Sequence, residues 1–276
     1  MDPAVLREDM VDGLEHALGG LPEPLGTAMR TVPRHEFVPE RPYDNRDAEH
    51  AGTRVLAPRT VARLLAALDP EPGDTTLVVG AGVGYTAAVV AELVGARRVH
   101  ALDIARQVVL DARRNLERAG YGAVLVDCRD GADGLPEYAP FDRILVEAAA
   151  IEPPRRLLDQ VAPGGRLVMP KGGPEQTLVA VRPERETDGE AASPDGPADG
   201  RHRGADYEVI EEFGPVGFAP MLVDGEQAGR QPRNRTERED REFAEQGYFA
   251  KKGWEYEWID WDERLDSGRG HHGRGR

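Results

Sequence analysis

Three glycines at every second position, Gly80, Gly82 and Gly84, constrain this chain more than any other feature of its sequence. The apolar residues just before them, 76–79, predict a short strand, and residues 85–93 predict a helix. Glycine has no Cβ, so it lets the backbone turn sharply between two elements and approach a ligand closely. A strand, a glycine turn and a helix in this order predict an α/β fold with a binding site at the turn.

The same alternation of strands and helices continues along the chain. Further strands are predicted at 98–102, 124–126, 143–146 and 166–169, and further helices at 105–119 and 154–161. Parallel strands joined by helices bury both faces of their sheet, so the pattern predicts a doubly wound, mostly parallel α/β sheet with helices on both faces. Residues 177–182 and 207–213 predict two more strands.

The order of the predicted elements divides the chain into three regions. Residues 1–68 hold an N-terminal helical extension and a long polar loop at 38–58, and residues 69–222 form the α/β domain. Inside that domain, residues 183–206 contain four Gly, three Pro and no apolar residue larger than Ala, so we expect a disordered insert. Residues 223–276 form a charged C-terminal tail with all three tryptophans, which we expect to dock on the domain or on a partner.

The charge balance argues against one large class of partner. Fifty acidic and 35 basic side chains give a net charge of -15, whereas nucleic-acid binding relies on Lys and Arg to replace the counterions of the phosphates. Only three of the basic residues are lysines. Such a surface suits a cytoplasm with molar salt, which screens charge repulsion, so we expect a halophilic source. The alternative is an ordinary acidic surface encoded by a GC-rich genome.

The chain shows no sign of a membrane span, a secretion signal or a metal site. No apolar run approaches the roughly 20 residues that a membrane-spanning helix needs. The N-terminal residues are acidic and lack the apolar stretch of a signal peptide, which predicts a cytoplasmic location. The single cysteine, Cys128, allows neither an internal disulfide nor a cysteine-built metal site, and we expect no metal.

Two aspartates extend the glycine motif into a candidate cofactor site. Asp103 ends the second predicted strand, where its carboxylate can accept hydrogen bonds from both hydroxyls of a ribose. Asp130, followed by Gly131, comes after the third strand, where methyltransferases typically recognise the adenine amino group. The predicted cofactor-binding residues are Gly80, Gly82, Gly84, Asp103, Asp130 and Gly131.

The glycine spacing separates two possible cofactors. A dinucleotide motif has its third glycine one position later, where this chain has Tyr85, so G-x-G-x-G favours S-adenosylmethionine. Two alternatives stay open: a merely structural tight turn at the glycines, and a turn-forming role for Asp130 before its glycine.

Seven segments occur in the order of a known family and carry a resemblance to it. They lie at 29–39, 80–87, 115–121, 130–131 with 139–142, 147–150, 162–168 and 215–220. On these segments the chain resembles the protein-L-isoaspartate O-methyltransferases over roughly residues 5–222. The Val-Pro-Arg and Phe-Val-Pro pieces of the first segment, and Ala-Ala-Ala of the fifth, are quite specific, whereas the glycine motif occurs in many methyltransferases.

The resemblance implies a Rossmann-like methyltransferase sheet and one particular reaction. A methyl group passes from S-adenosylmethionine to the free carboxylate of an isoaspartyl residue in a damaged protein or peptide. The ester then closes to a succinimide, which reopens partly to normal aspartate. Since the acceptor carboxylate is already ionised at neutral pH, alignment and exclusion of water supply most of the acceleration.

The chain departs from the family's pattern at three positions. Family members usually carry a Thr and a Ser beside the acceptor carboxylate, and aligning Ala57 and Pro58 with the pair that follows puts Arg54 and Leu56 there. We expect Arg54 to clamp the acceptor carboxylate through its guanidinium, and the alternative is a surface arginine on the loop. Val78 replaces an acidic residue just before the glycine turn, which is expected to weaken or reorient cofactor binding.

These departures leave three hypotheses. The first is an isoaspartyl-type protein carboxyl methyltransferase that repairs proteins. The second is a methyltransferase of the same fold with a changed acceptor, and the third is a non-catalytic adaptor that binds the cofactor and interacts through its tail. The lost hydroxyls count against the first, and the intact glycines and aspartates count against the third. The resemblance favours the first.

Overall fold

The computed structural model of the protein describes residues 2–50, 53–184 and 207–221. This part of the chain forms six α-helices and nine β-strands. The helices are α1 (Pro3–Leu18), α2 (Glu23–Thr31), α3 (Pro58–Leu68), α4 (Tyr85–Val94), α5 (Arg106–Arg118) and α6 (Arg155–Leu158). The strands are β1 (Ala48–His50), β2 (Thr53–Val55), β3 (Thr76–Val79), β4 (Val99–Asp103), β5 (Leu125–Cys128), β6 (Phe141–Val146), β7 (Val161–Gly172), β8 (Gln176–Pro183) and β9 (Tyr207–Val216).

Seven of these strands form one sheet in the order β5-β4-β3-β6-β7-β8-β9. The neighbours from β5 to β7 pair in parallel, whereas β8 and β9 are added antiparallel at one edge. The strand order reverses between β3 and β6, and open α/β sheets bind ligands at the carboxyl ends of the strands at such a point. The predicted doubly wound, mostly parallel, Rossmann-like sheet is confirmed.

The side chains of the central strands alternate between two cores, one on each face of the sheet. Val78 of β3 packs into the core that also contains buried residues of α3, α4 and α5. Its neighbours Leu77 and Val79 pack into the core that contains the buried residues of α6. All four residues of β3 are buried, as expected for a central strand of a parallel sheet covered by helices on both faces.

Helices α1 and α2 form the predicted N-terminal extension. The Asp2 carboxylate caps α1 by accepting a hydrogen bond from the N–H of Ala4 at 2.9 Å, and Gly19 ends the helix with a φ of 75°. The guanidinium of Arg30 on α2 binds three carboxylates of α1, those of Glu8, Asp12 and Glu15. These ion pairs fasten α2 to α1 and so fix the start of the segment that leads to the ligand crevice.

The structure corrects the predicted course of three segments. The long loop at 38–58 contains an antiparallel hairpin, β1–β2. The helix predicted over 154–161 is limited to the four residues of α6, because Val161 already begins β7. Pro183, predicted as the first residue of the insert, is the last residue of β8.

Other predictions concern segments outside the described residues. These are the rest of the insert from residue 185 and the tail at 223–276, so the expected disorder and docking stay predictions, as does the division into three regions. Within the described ranges, no helix combines the length and the apolar character needed to cross a membrane. In the same ranges, no group of three or more His, Cys, Asp or Glu side chains is arranged to hold a metal ion.

Candidate functional site

A crevice that is open to solvent lies at the carboxyl ends of β3 and β6. Its walls come from the glycine turn, the hairpin β1–β2 and the residues after it, α3, the start of α4 and the end of β6. The polar side chains that line it are Arg34, Arg54, Tyr85, Thr86 and Glu147. This is the position at which the fold is expected to bind its ligand.

The predicted glycine turn forms one wall of the crevice. Gly80, Gly82 and Gly84 have φ angles of 93°, 50° and 92°, which L side chains rarely adopt. The N–H groups of Gly80 and Ala81 donate to the carbonyl oxygen of Leu102 at 2.9 and 2.8 Å, so the turn is tied to β4. The turn therefore presents backbone, rather than side chains, to a ligand in the crevice.

Asp103, the last residue of β4, holds the glycine turn through its carboxylate. Its Oδ2 accepts a hydrogen bond from the N–H of Gly82 at 3.1 Å, and its Oδ1 accepts one from Ala105 at 3.0 Å. Burial raises the pKa of Asp103 above its ordinary value, and these backbone donors act against that rise. A carboxylate has about four lone-pair sites, so this one can accept further hydrogen bonds from ribose hydroxyls. The residues present fit the predicted ribose site.

Asp130 and Gly131 form a tight turn after β5. The Asp130 Oδ1 accepts a hydrogen bond from the N–H of Ala132 at 2.9 Å, which is the turn-forming role that the sequence allowed. A Cβ on Gly131 would lie 2.7 Å from Cγ1 of Val79, so a glycine is needed for this turn to pack against β3. A turn role and an adenine contact are compatible, and the contact stays a prediction.

The hairpin β1–β2 places Arg54 and Leu56 on the crevice wall. The Arg54 guanidinium already has a carboxylate partner, because its Nε donates to Oδ2 of Asp47 at 2.9 Å, and its Nη1 donates to the carbonyl of Gly217 at 2.6 Å. Its side chain is 41% exposed. Leu56 is buried and supplies an apolar surface where the family's pattern has a hydroxyl. Both residues line the crevice and Arg54 is engaged within its own chain, so their roles toward an acceptor stay predictions.

Arg34 is a site residue that the motif analysis did not single out, although it lies in the Val-Pro-Arg piece of the resemblance. Only 1% of its surface is exposed. Its Nε donates to the carbonyl of Pro42 and its Nη2 to that of Leu56, both at 2.7 Å, and its guanidinium lies 4.4 Å from the centre of the Tyr85 ring. Arg34 therefore holds the segment before the hairpin and the residue after it at the crevice.

Glu147, the first residue after β6, was also missed as a site residue. Its N–H donates to the carbonyl of Val79 at 2.8 Å, so its backbone continues the pairing of β6 with β3. Burial, with a smaller contribution from the nearby Asp103 carboxylate, raises the pKa of Glu147 to about 7, while Thr86 and Arg34 act in the opposite direction. An acidic residue directly after an apolar central strand was the available sequence signal.

Residues 8–194 match the family model described as protein-L-isoaspartate(D-aspartate) O-methyltransferase. The protein-L-isoaspartate O-methyltransferase of Aeropyrum pernix is 45% identical over 161 residues, which cover 56% of this chain and 62% of that protein. The protein of the same name from Methanosarcina mazei is 40% identical over 185 residues, which cover 64% of this chain and 74% of that protein.

One solved structure shares the fold over most of its length. It is a Plasmodium falciparum protein described as a protein-L-isoaspartate O-methyltransferase, in complex with S-adenosyl-L-homocysteine. The TM-score is 0.63 at 19% sequence identity, and the match covers 78% of this chain and 98% of that one. At this identity the likeness concerns the fold alone.

Proposed function

Because this chain belongs to the protein-L-isoaspartate(D-aspartate) O-methyltransferase family, we propose that it transfers a methyl group from S-adenosylmethionine to isoaspartyl carboxylates. The observation that carries the proposal is the crevice at the strand-order reversal. There the glycine turn, braced by Asp103, faces the hairpin that carries the acceptor-side residues. The acceptor is a protein or peptide with an isoaspartyl residue.

The residues at the crevice, together with those at the ends of the neighbouring strands β4 and β5, fit the cofactor. Asp103 would hold the ribose, the turn after β5 with Asp130 would receive the adenine, and the backbone at Gly82 would lie along the bound molecule. When bound, S-adenosylmethionine supplies a methyl group on a positively charged sulfur, and its transfer leaves a neutral thioether.

The chain's own residues have little covalent chemistry to perform in this reaction. An isoaspartyl carboxylate is ionised at neutral pH, so the site needs no general base to prepare it as the methyl acceptor. The buried Leu56 keeps water from one side of the crevice, and Arg34 fixes the backbone at that position by binding the Leu56 carbonyl. Orientation and exclusion of water are the contributions that this site offers.

A methyl-transfer assay with two peptides tests this function. An isoaspartyl peptide and its normal-aspartyl counterpart would be incubated with labelled S-adenosylmethionine at 1 M and at 0.1 M salt. We expect label on the isoaspartyl peptide alone. Equal labelling of both peptides would contradict the proposal, and transfer to neither despite measurable cofactor binding would favour a changed acceptor or an adaptor.

The role proposed for Arg54 as the clamp of the acceptor carboxylate has a test of its own. Arg54→Ala should lower kcat/KM for the isoaspartyl peptide by about tenfold, because a charge-assisted hydrogen bond is lost. Asp47→Asn keeps the side-chain oxygen that accepts from Ala57 N–H but removes the carboxylate that now holds Arg54. If Arg54 binds the acceptor, kcat/KM of Asp47→Asn stays level or rises.

The same two variants can also contradict the proposed role of Arg54 in binding the acceptor carboxylate. If Arg54 only fastens the hairpin to Asp47 and to the backbone at Gly217, Asp47→Asn should lower kcat/KM as Arg54→Ala does. Cofactor affinity, measured by calorimetry, should stay unchanged in both variants, since Arg54 lies on the acceptor wall.

Three finer expectations rest on sequence composition. A halophilic source is supported by a net charge of -15 with three lysines, and a cytoplasm with molar salt is the location that such a surface fits. Docking through the tail at 223–276 is supported by its three tryptophans.

A further inference from the structure

Besides the hydroxyl of Tyr85, two buried polar atoms of opposite character lie at the crevice without a hydrogen-bond partner. They are Nη1 of Arg34, which can only donate, and Oε1 of Glu147, which accepts when the carboxylate is ionised. Among the described residues, no carboxylate lies within 4.0 Å of the Arg34 guanidinium. A buried polar group without a partner costs free energy, so two of them in one crevice point to a ligand that supplies both partners.

The position of the pair along the sheet edge indicates which part of a ligand it would meet. The proposed adenine and ribose contacts follow β5 and β4, and the glycine turn follows β3. Glu147 follows β6, the next strand in the same direction. A molecule that runs along this edge from its adenine therefore reaches Arg34 and Glu147 with its far end.

We propose that Arg34 and Glu147 bind the α-amino-acid end of S-adenosylmethionine, with the carboxylate of Glu147 accepting from the α-ammonium and Nη1 of Arg34 donating to the α-carboxylate. The inference rests on the proposed function only for the identity of the cofactor. A zwitterion needs one anionic and one cationic partner, and these two side chains supply them in the same crevice.

The register of the sheet supports this assignment. Val78 of β3 pairs with Leu145 of β6, and both pack into the same core. Glu147 is two residues beyond Leu145, so its side chain is on the face of Val78, one step closer to the carboxyl ends. Glu147, after the neighbouring strand, can therefore supply the carboxylate that the resemblance predicts at position 78.

A role for Glu147 on the acceptor side fits less well. A carboxylate acceptor needs no general base, and a second carboxylate beside it would repel it. The cofactor's α-ammonium, by contrast, gains a charge-assisted hydrogen bond from Glu147.

Calorimetric titration with three ligands tests the Glu147 contact without any methyl transfer. S-adenosylmethionine and S-adenosylhomocysteine carry the α-amino acid, whereas 5′-methylthioadenosine keeps the adenosine and the sulfur but lacks it. Glu147→Gln should weaken binding of the first two ligands equally, by about tenfold, and leave that of 5′-methylthioadenosine unchanged. Glu211→Gln, the same charge change at an exposed position of β9, should leave all three affinities unchanged.

Three results would overturn the Glu147 contact. Unchanged affinities in Glu147→Gln would show that the carboxylate does not meet the ligand. A loss confined to S-adenosylmethionine would place it at the charged sulfur instead. A loss that includes 5′-methylthioadenosine would indicate a general change of the crevice.

The Arg34 contact is tested from the ligand's side, because Arg34 also holds two backbone carbonyls and its variants risk unfolding the hairpin. Decarboxylated S-adenosylmethionine should bind the wild type about tenfold more weakly than S-adenosylmethionine. If circular dichroism shows that Arg34→Lys is folded, this variant should bind the two ligands with more similar affinities than the wild type does. Equal binding of the two ligands to the wild type would overturn the Arg34 contact.

These titrations also separate this inference from the proposed function. If the wild type binds none of the adenosyl ligands, the proposed cofactor is wrong. If it binds them and Glu147→Gln binds them equally well, only the amino-acid site is wrong. A failure to methylate isoaspartyl peptides with these binding patterns intact would concern the acceptor alone.

Discussion

Replacing Asp103 by alanine should weaken the binding of S-adenosylmethionine by about tenfold to a hundredfold. The carboxylate is expected to accept two charge-assisted hydrogen bonds from the ribose hydroxyls, and their loss costs on the order of 2 to 3 kcal/mol. The side chain also braces the glycine turn by accepting from the N–H of Gly82 at 3.1 Å. Both effects reduce affinity in the same direction, and calorimetry would measure their sum.

Asp103→Asn separates the two contributions. Asparagine keeps one side-chain oxygen for the Gly82 N–H but loses the negative charge and half of the acceptors. Its affinity should therefore fall between those of the wild type and Asp103→Ala. Because the N–H of Ala105 loses its acceptor in Asp103→Asn, the Tm should also fall between those of the same two proteins. An Asp103→Ala variant that binds the cofactor as well as the wild type would refute the ribose assignment.

The glycine turn shows why part of this site could be predicted from the sequence. Its function depends on local geometry: three positive φ angles, a strand before it and a helix after it. Each requirement can be recognised in the local sequence. Only glycine takes these φ angles at low cost, and strands and helices differ in the spacing of their apolar residues. Asp103 and Asp130 follow from the same logic, since Asp103 lies at the end of one predicted strand and Asp130 follows the next within a few residues.

The hairpin β1–β2 could not be predicted in this way. Each of its strands has only three residues, which is too short for an alternating pattern to stand out. Side-chain contacts across the loop hold the segment in place: Asp47 accepts from the N–H of Ala57, and Asn45 accepts from that of Arg59. Such contacts, between a polar side chain and a backbone N–H 10 or 14 positions away, leave no periodic signal.

Arg34 and Glu147 illustrate a different limit. Each has a buried polar atom without a hydrogen-bond partner, which suggests a ligand contact. Such an atom can be recognised only from the folded structure, because the partners could come from any neighbouring element. Glu147 comes from the end of β6 and Arg34 from the turn after α2, more than 100 positions earlier. In the sequence, both were part of segments used for the resemblance, but a segment match does not separate a residue that packs from one that faces a ligand.

Replacing Glu147 by glutamine should make the ligand-free protein more stable above neutral pH. Burial raises the pKa of Glu147 to about 7 in the folded chain, against 4.5 as its ordinary value. A carboxyl whose folded pKa is raised binds its proton more tightly in the folded state, so it favours folding at low pH. That contribution is lost as the pH rises from 4.5 through about 7. Glutamine has the same shape and no charge, so it avoids the loss.

The groups around Glu147 bear on the size of this effect. The positive charge of Arg34 favours ionisation of Glu147, whereas the Asp103 carboxylate disfavours it. Tyr85 and Arg54 are the other titratable residues that line the crevice. Since one unit of pKa corresponds to about 1.4 kcal/mol, the rise from 4.5 to about 7 sets an upper bound on the effect, and we expect a gain of about 2 kcal/mol at pH 8. In a thermal melt this is roughly 4 to 8 °C, and it should vanish near pH 4.5.

The dependence on ligand makes this prediction specific. If Glu147 is kept ionised to bind the cofactor's ammonium, saturating S-adenosylhomocysteine stabilises the wild type more than Glu147→Gln, because the ligand binds the wild type more tightly. The gain of the variant at pH 8 should then shrink on adding S-adenosylhomocysteine, and it should persist on adding 5′-methylthioadenosine. If Glu147→Gln is also more stable than the wild type at pH 4.5, or if neither ligand changes its extra stability at pH 8, Glu147 is a poorly solvated acid and not a binding group.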